Sequence, residues 1–286
     1  MKTVIYPNFS KKNAYETSAR VCSMLHDMGF EVMCSDELRE RFPKADYVRF
    51  LPIAEAADKC DLIIAVGGDG TILEASEYAA DSGKLLLGIN TGRLGFMASM
   101  ETDELYNLSK LMSGDYTVEN RMMLDCKFIG GTNRKTFTAL NDIVISSQYS
   151  RLSDFFVTVN GNEVSSVRAD GLIFSTPTGS TAYALSAGGP ILEPDLECIQ
   201  MTPVCPHSLV SRTMLFSTGK KLEVSYKSRS GTSLYLCIDG KVSESISRDD
   251  RIIVYRSEKF LRLIDIAGNS FYNAVNKKLI NPIKGM

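Results

Sequence analysis

Residues 60–76, CDLIIAVGGDGTILEAS, run a string of apolar side chains straight into two glycines, an aspartate and a third glycine, then resume an apolar rhythm. A continuous apolar run suits a strand buried on both faces of a parallel sheet. The spacing in TILEASEYAADS (71–82) is helical, and Gly83 stops it. A strand that hands over to a helix in this way commits this part of the chain to an α/β architecture, because parallel strands need crossover helices.

The surrounding sequence extends the pattern. TVIYPN (3–8) reads as a strand ending at a proline, Lys12 to Met28 as a helix with Val21, Met24, Leu25 and Met28 on one face, and FEVMC (30–34) as a second strand. KLLLGIN (84–90) reads as another buried strand, followed by the loop TGRLGFMAS and a helix from Asp103 to Met112. The stretch from about Glu37 to Asp58, polar and carrying two prolines, reads as a mobile segment beside the sheet.

Near Met122 the rhythm changes to short alternating runs rich in β-branched and aromatic residues, such as DFFVTVNGNEVSS, LYLCIDGKVSES and RIIVYRS. Asn160-Gly161 and Asp239-Gly240 punctuate them as hairpin turns. The expected fold is therefore an α/β N-terminal domain with a parallel sheet over 1–120, followed by a β-rich, β-sandwich-like domain over 121–266. One segment of the second half departs from this pattern. TPTGSTAYALSAGGP (176–190) combines turn residues, a short helix-like stretch and glycines.

Composition narrows the function classes. With 32 basic and 34 acidic residues, the chain lacks the positive excess of a nucleic-acid binder. No apolar run approaches the ~18 residues of a membrane span, and the opening MKTVIYPNFSKKNAYE turns polar too early for a secretory signal. The seven cysteines are scattered, with no C-x-x-C pair and no clustering with His26 or His207, so they read as free thiols of a reducing, cytoplasmic compartment.

At the end of a buried parallel strand the chain emerges where open α/β sheets bind ligands. Gly67 and Gly68 let ligand oxygens approach the backbone, and the helix starting near Thr71 offers free N–H groups and a positive dipole end, which suits phosphate. Among those donors Asp69 is the one acidic side chain. It can hold a metal ion or accept the proton of an attacking hydroxyl, both tasks of phosphoryl transfer; it can equally cap the helix. The turn matches neither G-x-G-x-x-G nor G-x-x-x-x-G-K-[ST]. In 170–192, Thr176, Thr178, Gly179, Ser180 and Thr181 surround a proline as a polar cradle, Tyr183 offers a flat face to a base, and Asp170 opens the preceding strand.

Together, GGDGT (67–71), NTGRLGF (90–96), LND (140–142), RADG (168–171) and TPTGSTAYALSAGGPIL (176–192) resemble bacterial NAD kinase in order and spacing along most of the chain. The resemblance implies transfer of the γ-phosphoryl group of ATP, or of another nucleotide or polyphosphate, to the 2′-hydroxyl of the adenosine ribose of NAD, giving NADP. It implies Asp69 as the general base and Gly67, Gly68, Gly70 and Thr71 as the phosphate-donor turn, with a divalent metal such as Mg2+ accompanying ATP. It places Asp69, Gly70, Asn141, Asp142, Arg151, Arg168, Asp170, Thr181, Ala182, Tyr183, Ala184, Leu185 and Ser186 at NAD. It also implies a dimer or tetramer, no nucleic-acid or membrane partner, and a C-terminal stretch, NSFYNAVNKKL (269–279) within 267–286, that returns to the first domain.

Three positions depart from the family pattern. Asp142 stands where the family has Glu, Lys241 where it often has Gln, and Thr213 where PHSLVSRT (206–213) would have proline. Two other readings stay open on sequence alone: a kinase of a sugar-phosphate or lipid acceptor, and a non-catalytic NAD(P)-binding regulator, for which a carboxylate at position 69 has no use.

Overall fold

The structure is a computed structural model that describes residues 1–42, 45–92, 95–131, 133–147, 151–228, 233–268 and 271–280. Arg93 and Leu94 of the GRLGF loop, and 269–270 and 281–286 of the returning tail, lie outside the described residues. By internal contacts the chain divides into Met1–Asn120 with Phe260–Met286, and Arg121–Lys259.

The first unit contains β1 (Lys2–Pro7), α1 (Ala14–Asp27), β2 (Glu31–Ser35), β3 (Val48–Leu51), α2 (Ile53–Lys59), β4 (Leu62–Gly67), α3 (Asp69–Asp81), β5 (Leu85–Asn90), the two-residue β6 (Met100–Glu101) and α4 (Lys110–Ser113). Its parallel strands lie in the order β5-β4-β1-β2-β3. From β1 the chain winds outward to β2 and β3, then returns to the other side of β1 as β4 and continues to β5. Adjacent β1 and β4 therefore send the chain in opposite directions, which creates a switch point at their carboxyl ends. Every residue of β4 is buried, as its unbroken apolar run requires. Above it, α3 buries Thr71, Ile72, Ala75, Ser76 and Ala79 on one helical face. Gly88 in β5 permits this packing, since a Cβ there would lie 2.4 Å from the Ile72 side chain.

Two expectations change. The stretch from Glu37 to Asp58 is not simply a segment beside the sheet. Val48–Leu51 pairs in parallel with β2 as the sheet's edge, and Ile53–Lys59 is helical. Pro52 does not break this order, because it stands just ahead of α2, where a missing N–H is harmless. The helix expected over 103–112 forms as a 3-10 turn, Leu105–Ser109, that passes into α4 and ends at left-handed Gly114.

The second unit carries β7 (Thr117–Gly130, entering from the first), β8 (Asn133–Ala139), β9 (Asp142–Ser147), β10 (Ser153–Val159), β11 (Asn162–Ala169), β12 (Gly171–Ser175), α5 (Tyr183–Ser186), β13 (Cys198–Val204), β14 (Met214–Ser217), β15 (Leu222–Ser228), β16 (Leu234–Ile238), β17 (Lys241–Ile246) and the start of β18 (Arg251–Asp265). One antiparallel set runs β11-β10-β15-β18, with the β7-β8 hairpin paired to β18; the other runs β14-β13-β12-β9-β16-β17. Alternating side chains of both sets, among them Phe155, Val157 and Val224 from one and Ile145, Phe174, Met201 and Leu236 from the other, form a single core. This is the β-sandwich-like arrangement expected from the alternation. Strand β12 is buried throughout because α5 covers its outer face, where Ala184 packs on Val144 and Ile173.

The last part of β18 belongs to the first unit, where Arg262 and Leu263 pair with Leu85 and Leu86. The contact division thus falls at Phe260, ahead of the 266/267 division expected from sequence. Beyond it come α6 (Phe271–Val275) and a π-helical turn, Asn276–Ile280.

Candidate functional site

The first constellation is built on the switch point of the parallel sheet. Strand β4 ends at Gly67, Gly68 stands just ahead of α3, and Asp69 is the first residue of that helix. The Gly67 carbonyl accepts the amide of Thr91 at 2.8 Å, which ties the turn to the end of β5. A Cβ on Gly67 would fall 2.3 Å from Thr71 Oγ1, whereas Gly68 and Gly70 face open space. The backbone between them is thus free for close approach.

The residue ahead of α3 is Gly68, which has no side chain to cap the helix. The Asp69 carboxylate accepts the amide of Phe96 at 2.8 Å and that of Met97 at 3.2 Å. Gly95 makes this possible, since a Cβ there would lie 1.9 Å from Asp69 Oδ1. Lys278, from the π-helical turn, places its Nζ 3.7 Å from Asp69 Oδ2 and 4.2 Å from the centre of the Phe96 ring. About a third of the Asp69 side chain, 34%, stays exposed, so the carboxylate is both held and reachable. Among the described residues, no group of three His, Cys, Asp or Glu gathers that could hold a metal ion. Two buried hydroxyls here, Thr71 and Thr91, have no hydrogen-bond partner among the described residues.

The second constellation lies in the second unit, where β9 begins and β12 and β16 end. Asp239 sits in the β16-β17 hairpin with φ 48°, followed by Gly240 at 79°, the left-handed pair that a tight hairpin requires. The Asp239 carboxylate accepts the amides of Leu140, Asn141 and Asp142 at 2.8, 2.8 and 2.9 Å. Thr176 braces the same corner: its hydroxyl donates to Leu140 O at 2.6 Å and accepts the Gly179 amide at 3.0 Å, and its own amide donates to Asn141 O. Gly179 lies so close that a Cβ would fall 2.0 Å from Asn141 O. Ser180 closes the cradle by accepting the Leu192 amide at 3.0 Å.

Asp142 is only 5% exposed. Burial first, and then the charge of Asp239, push its carboxyl up to about 7. Tyr183 keeps 45% of its surface exposed. Burial raises its phenol, followed by Cys205, Asp142, Asp170 and Cys237.

The structure places Asn141 and Asp142 against the 176–181 turn, whereas Asp170 lies at the other end of the same strands, since Gly171 pairs with Ser146 and Ser175 with Asp142. The Ala184 side chain turns into the sheet, Leu185 is half-buried and Ser186 is exposed. Arg168 is spent differently: its Nε donates to Asp154 at 2.6 Å across the β10-β11 ladder. Arg151 is exposed and its amide donates to Ser147 Oγ at 2.8 Å, and 148–150 lie outside the described residues. Sequence reading does not find two supports. One is Asp239, whose turn signal gives no hint of its distant partners. The other is Arg121, buried beside Thr178, with Nη1 3.5 Å from the Thr178 hydroxyl.

Comparison with known proteins shows the family of the chain. The ATP-NAD kinase N-terminal domain family matches residues 4–116 and the ATP-NAD kinase C-terminal domain family residues 140–266. The NAD kinase of Caldanaerobacter subterraneus is 36% identical over 97% of this chain and 98% of its own length. The bifunctional NADP phosphatase/NAD kinase of Methanocaldococcus jannaschii is 37% identical, and the match covers 94% of this chain but only 45% of that protein. In structure, an Archaeoglobus fulgidus NAD kinase in complex with ATP aligns at TM-score 0.73 and 26% identity, covering 100% of this chain and 99% of that one. Yeast NADH kinase complexed with NADH aligns at 0.89 and 23% identity, covering 99% and 88%, a likeness of fold. Two family matches that together span most of the chain, and a relative 36% identical over nearly the whole of both proteins, make this chain a member of the NAD kinase family.

Proposed function

We propose that the chain phosphorylates NAD on the 2′-hydroxyl of its adenosine ribose, with ATP as donor, and that Asp69 is the base. The observation that carries the role of Asp69 is its posture: a partly exposed carboxylate at the start of α3, oriented by the Phe96 and Met97 amides. Asp69 takes the hydroxyl proton as the ribose oxygen bonds to the γ-phosphorus. The bond from that phosphorus to the β–γ bridging oxygen breaks, and ADP leaves with the electron pair. Backbone amides of the 67–71 turn, that of Thr71 excepted because it donates to Gly68 O, neutralise charge on the phosphates. A divalent metal such as Mg2+ accompanies the ATP substrate, held chiefly by its phosphates.

In this reading the Asn141-Asp142 corner, Asp170 and the 181–186 segment hold NAD, with Tyr183 offering its exposed ring to a base. Asp142 is a methylene shorter than Glu, and its contact runs through the backbone that Asp239 clamps. Arg151 and Arg168 supply positive charge at the margin, the latter after leaving Asp154. The protein works in the cytoplasm as a dimer or tetramer. No helix among the described residues is long and apolar enough to cross a membrane.

A coupled assay for NADP formed from NAD, ATP and magnesium tests the reaction, and Asp69→Asn tests the role. The variant should keep NAD affinity and lose about 100-fold or more in turnover, in line with a missing general base. Near-normal turnover would remove Asp69 from the mechanism.

A further inference from the structure

A cavity of about 320 Å³ opens at the carboxyl ends of β1 and β2, on the side of the switch point away from β5. Tyr6, Asn8 and Phe9 line it from the end of β1, Arg41 from the segment after β2, and Glu74 and Tyr78 from α3. Asn8 is fixed at the seam, because its amide donates to Val66 O at 3.0 Å, the last carbonyl but one of β4. The cavity and the glycine-aspartate turn thus occupy the two sides of a single crevice, where doubly wound sheets take ligands.

Helix α3 connects them. Gly70, Glu74 and Tyr78 recur at intervals of four and form one stripe along the helix. From Gly70 to Tyr78 the stripe rises ~12 Å, comparable to the extended span of a nucleotide from terminal phosphate to base. Its chemistry is graded. The start offers backbone N–H groups and no side chain. The middle offers a carboxylate, suited to accept hydrogen bonds from hydroxyls. The end offers aromatic faces, with the Tyr6 and Tyr78 rings 6.0 Å apart and Phe9 adjoining. Two carboxylates, Glu37 and Glu74, against one guanidinium, Arg41, make the cavity unsuited to phosphate. Burial and then the charge of Glu74 push the Tyr6 phenol up to about 12, so it remains a neutral donor.

We infer that this cavity receives the nucleoside of the phosphoryl donor, its base against Tyr78 and Phe9 and its ribose hydroxyls at Glu74. The inference rests on reading Gly67–Thr71 as the donor-phosphate turn and extends that site to the other end of the same ligand.

Steady-state kinetics and ADP titration calorimetry on Glu74→Gln and Tyr78→Leu test it. The KM for ATP and the Kd for ADP should each rise roughly tenfold, the loss of one stacking or charge-assisted contact. The KM for NAD and inhibition by inorganic tripolyphosphate, which lacks a nucleoside, should stay within about twofold. Unchanged ADP affinity in a wild-type-like kinase would overturn the cavity and leave the kinase reading intact. Equal weakening of ADP and tripolyphosphate would also overturn it, because the substitutions would then act on the phosphate turn. If the wild-type protein forms no NADP, the kinase reading fails, and the ADP titrations still decide whether the cavity binds a nucleoside. Should Tyr78→Leu fail to fold, Glu74→Gln decides alone, since Glu74 is exposed and its replacement disturbs no packing.

Discussion

Asp239 and Asp142 are bonded reciprocally: the Asp142 amide donates to the Asp239 carboxylate at 2.9 Å, and the Asp239 amide donates back to the Asp142 carbonyl at 2.9 Å. The hairpin carboxylate also takes the amides of Leu140 and Asn141. Three donors therefore depend on one side chain nearly a hundred residues away in sequence. Asp239→Ala should destabilise the protein by ~2–3 kcal/mol, since charge-assisted bonds of this kind leave unsatisfied amides behind. Thermal melting measures this, and the KM for NAD should rise in parallel. A melting temperature equal to wild type would mean that the corner holds itself.

Asp142 gives the protein a pH signature. Its folded-state carboxyl titrates near 7, above the value of an unfolded aspartate near ~3.9. Below both values the carboxyl is protonated in both states and contributes nothing. As pH rises from ~4 towards 7 the unfolded chain ionises first, so stability falls over that interval and then levels off. Asp142→Asn should remove this slope and be the more stable protein at pH 7. Melting curves from pH 4 to 8 on both proteins check it, and parallel curves would contradict the burial argument.

Gly95→Ala offers a test of Asp69 that leaves the aspartate in place. The atoms nearest the new methyl would all belong to the Asp69 carboxylate, which can swing away, so the fold loses little. The carboxylate, however, leaves its two amides. Turnover should drop by roughly tenfold or more, as catalysis is sensitive to displacements of ~1 Å, while the melting temperature shifts by a few degrees at most. Wild-type turnover would show that the observed posture of Asp69 is not the working one.

Lys278 sits beside the same carboxylate with 27% of its side chain exposed. An ion pair of this openness is worth ~0–1 kcal/mol, so Lys278→Met should barely change stability. It should lower kcat severalfold by releasing Asp69, with little effect on the KM for NAD, and Lys278→Arg should restore most of the loss. A change confined to KM would place Lys278 on the substrate instead.

Much of this was legible in the chain because burial is periodic. The all-apolar run of β4, the fourfold rhythm of α3 and the left-handed turns at Asn160-Gly161 and Asp239-Gly240 are local consequences of local residues. Strand β3 was not, because its four residues lie at the sheet edge, half exposed, between turn-forming neighbours. On the site, the glycines and Asp69 stood out because backbone donors and a carboxylate are conspicuous together. What holds Asp69 did not, because the Phe96 and Met97 amides and Lys278 arrive through the fold, and a backbone N–H carries no sequence signal. The same holds for Arg168, whose charge is visible in sequence but whose Asp154 partner is a matter of strand register.

The first unit is assembled from two stretches separated by the whole of the second, and Arg262 and Leu263 supply the neighbour that β5 requires at its start. During synthesis that neighbour emerges only after the intervening 121–259 segment. The continuous unit can thus complete its folding on the ribosome, while the parallel sheet waits with an unpaired border. For that interval the nascent chain leaves the start of β5 open to foreign strands, and slower translation past residue 259 would lengthen the exposure.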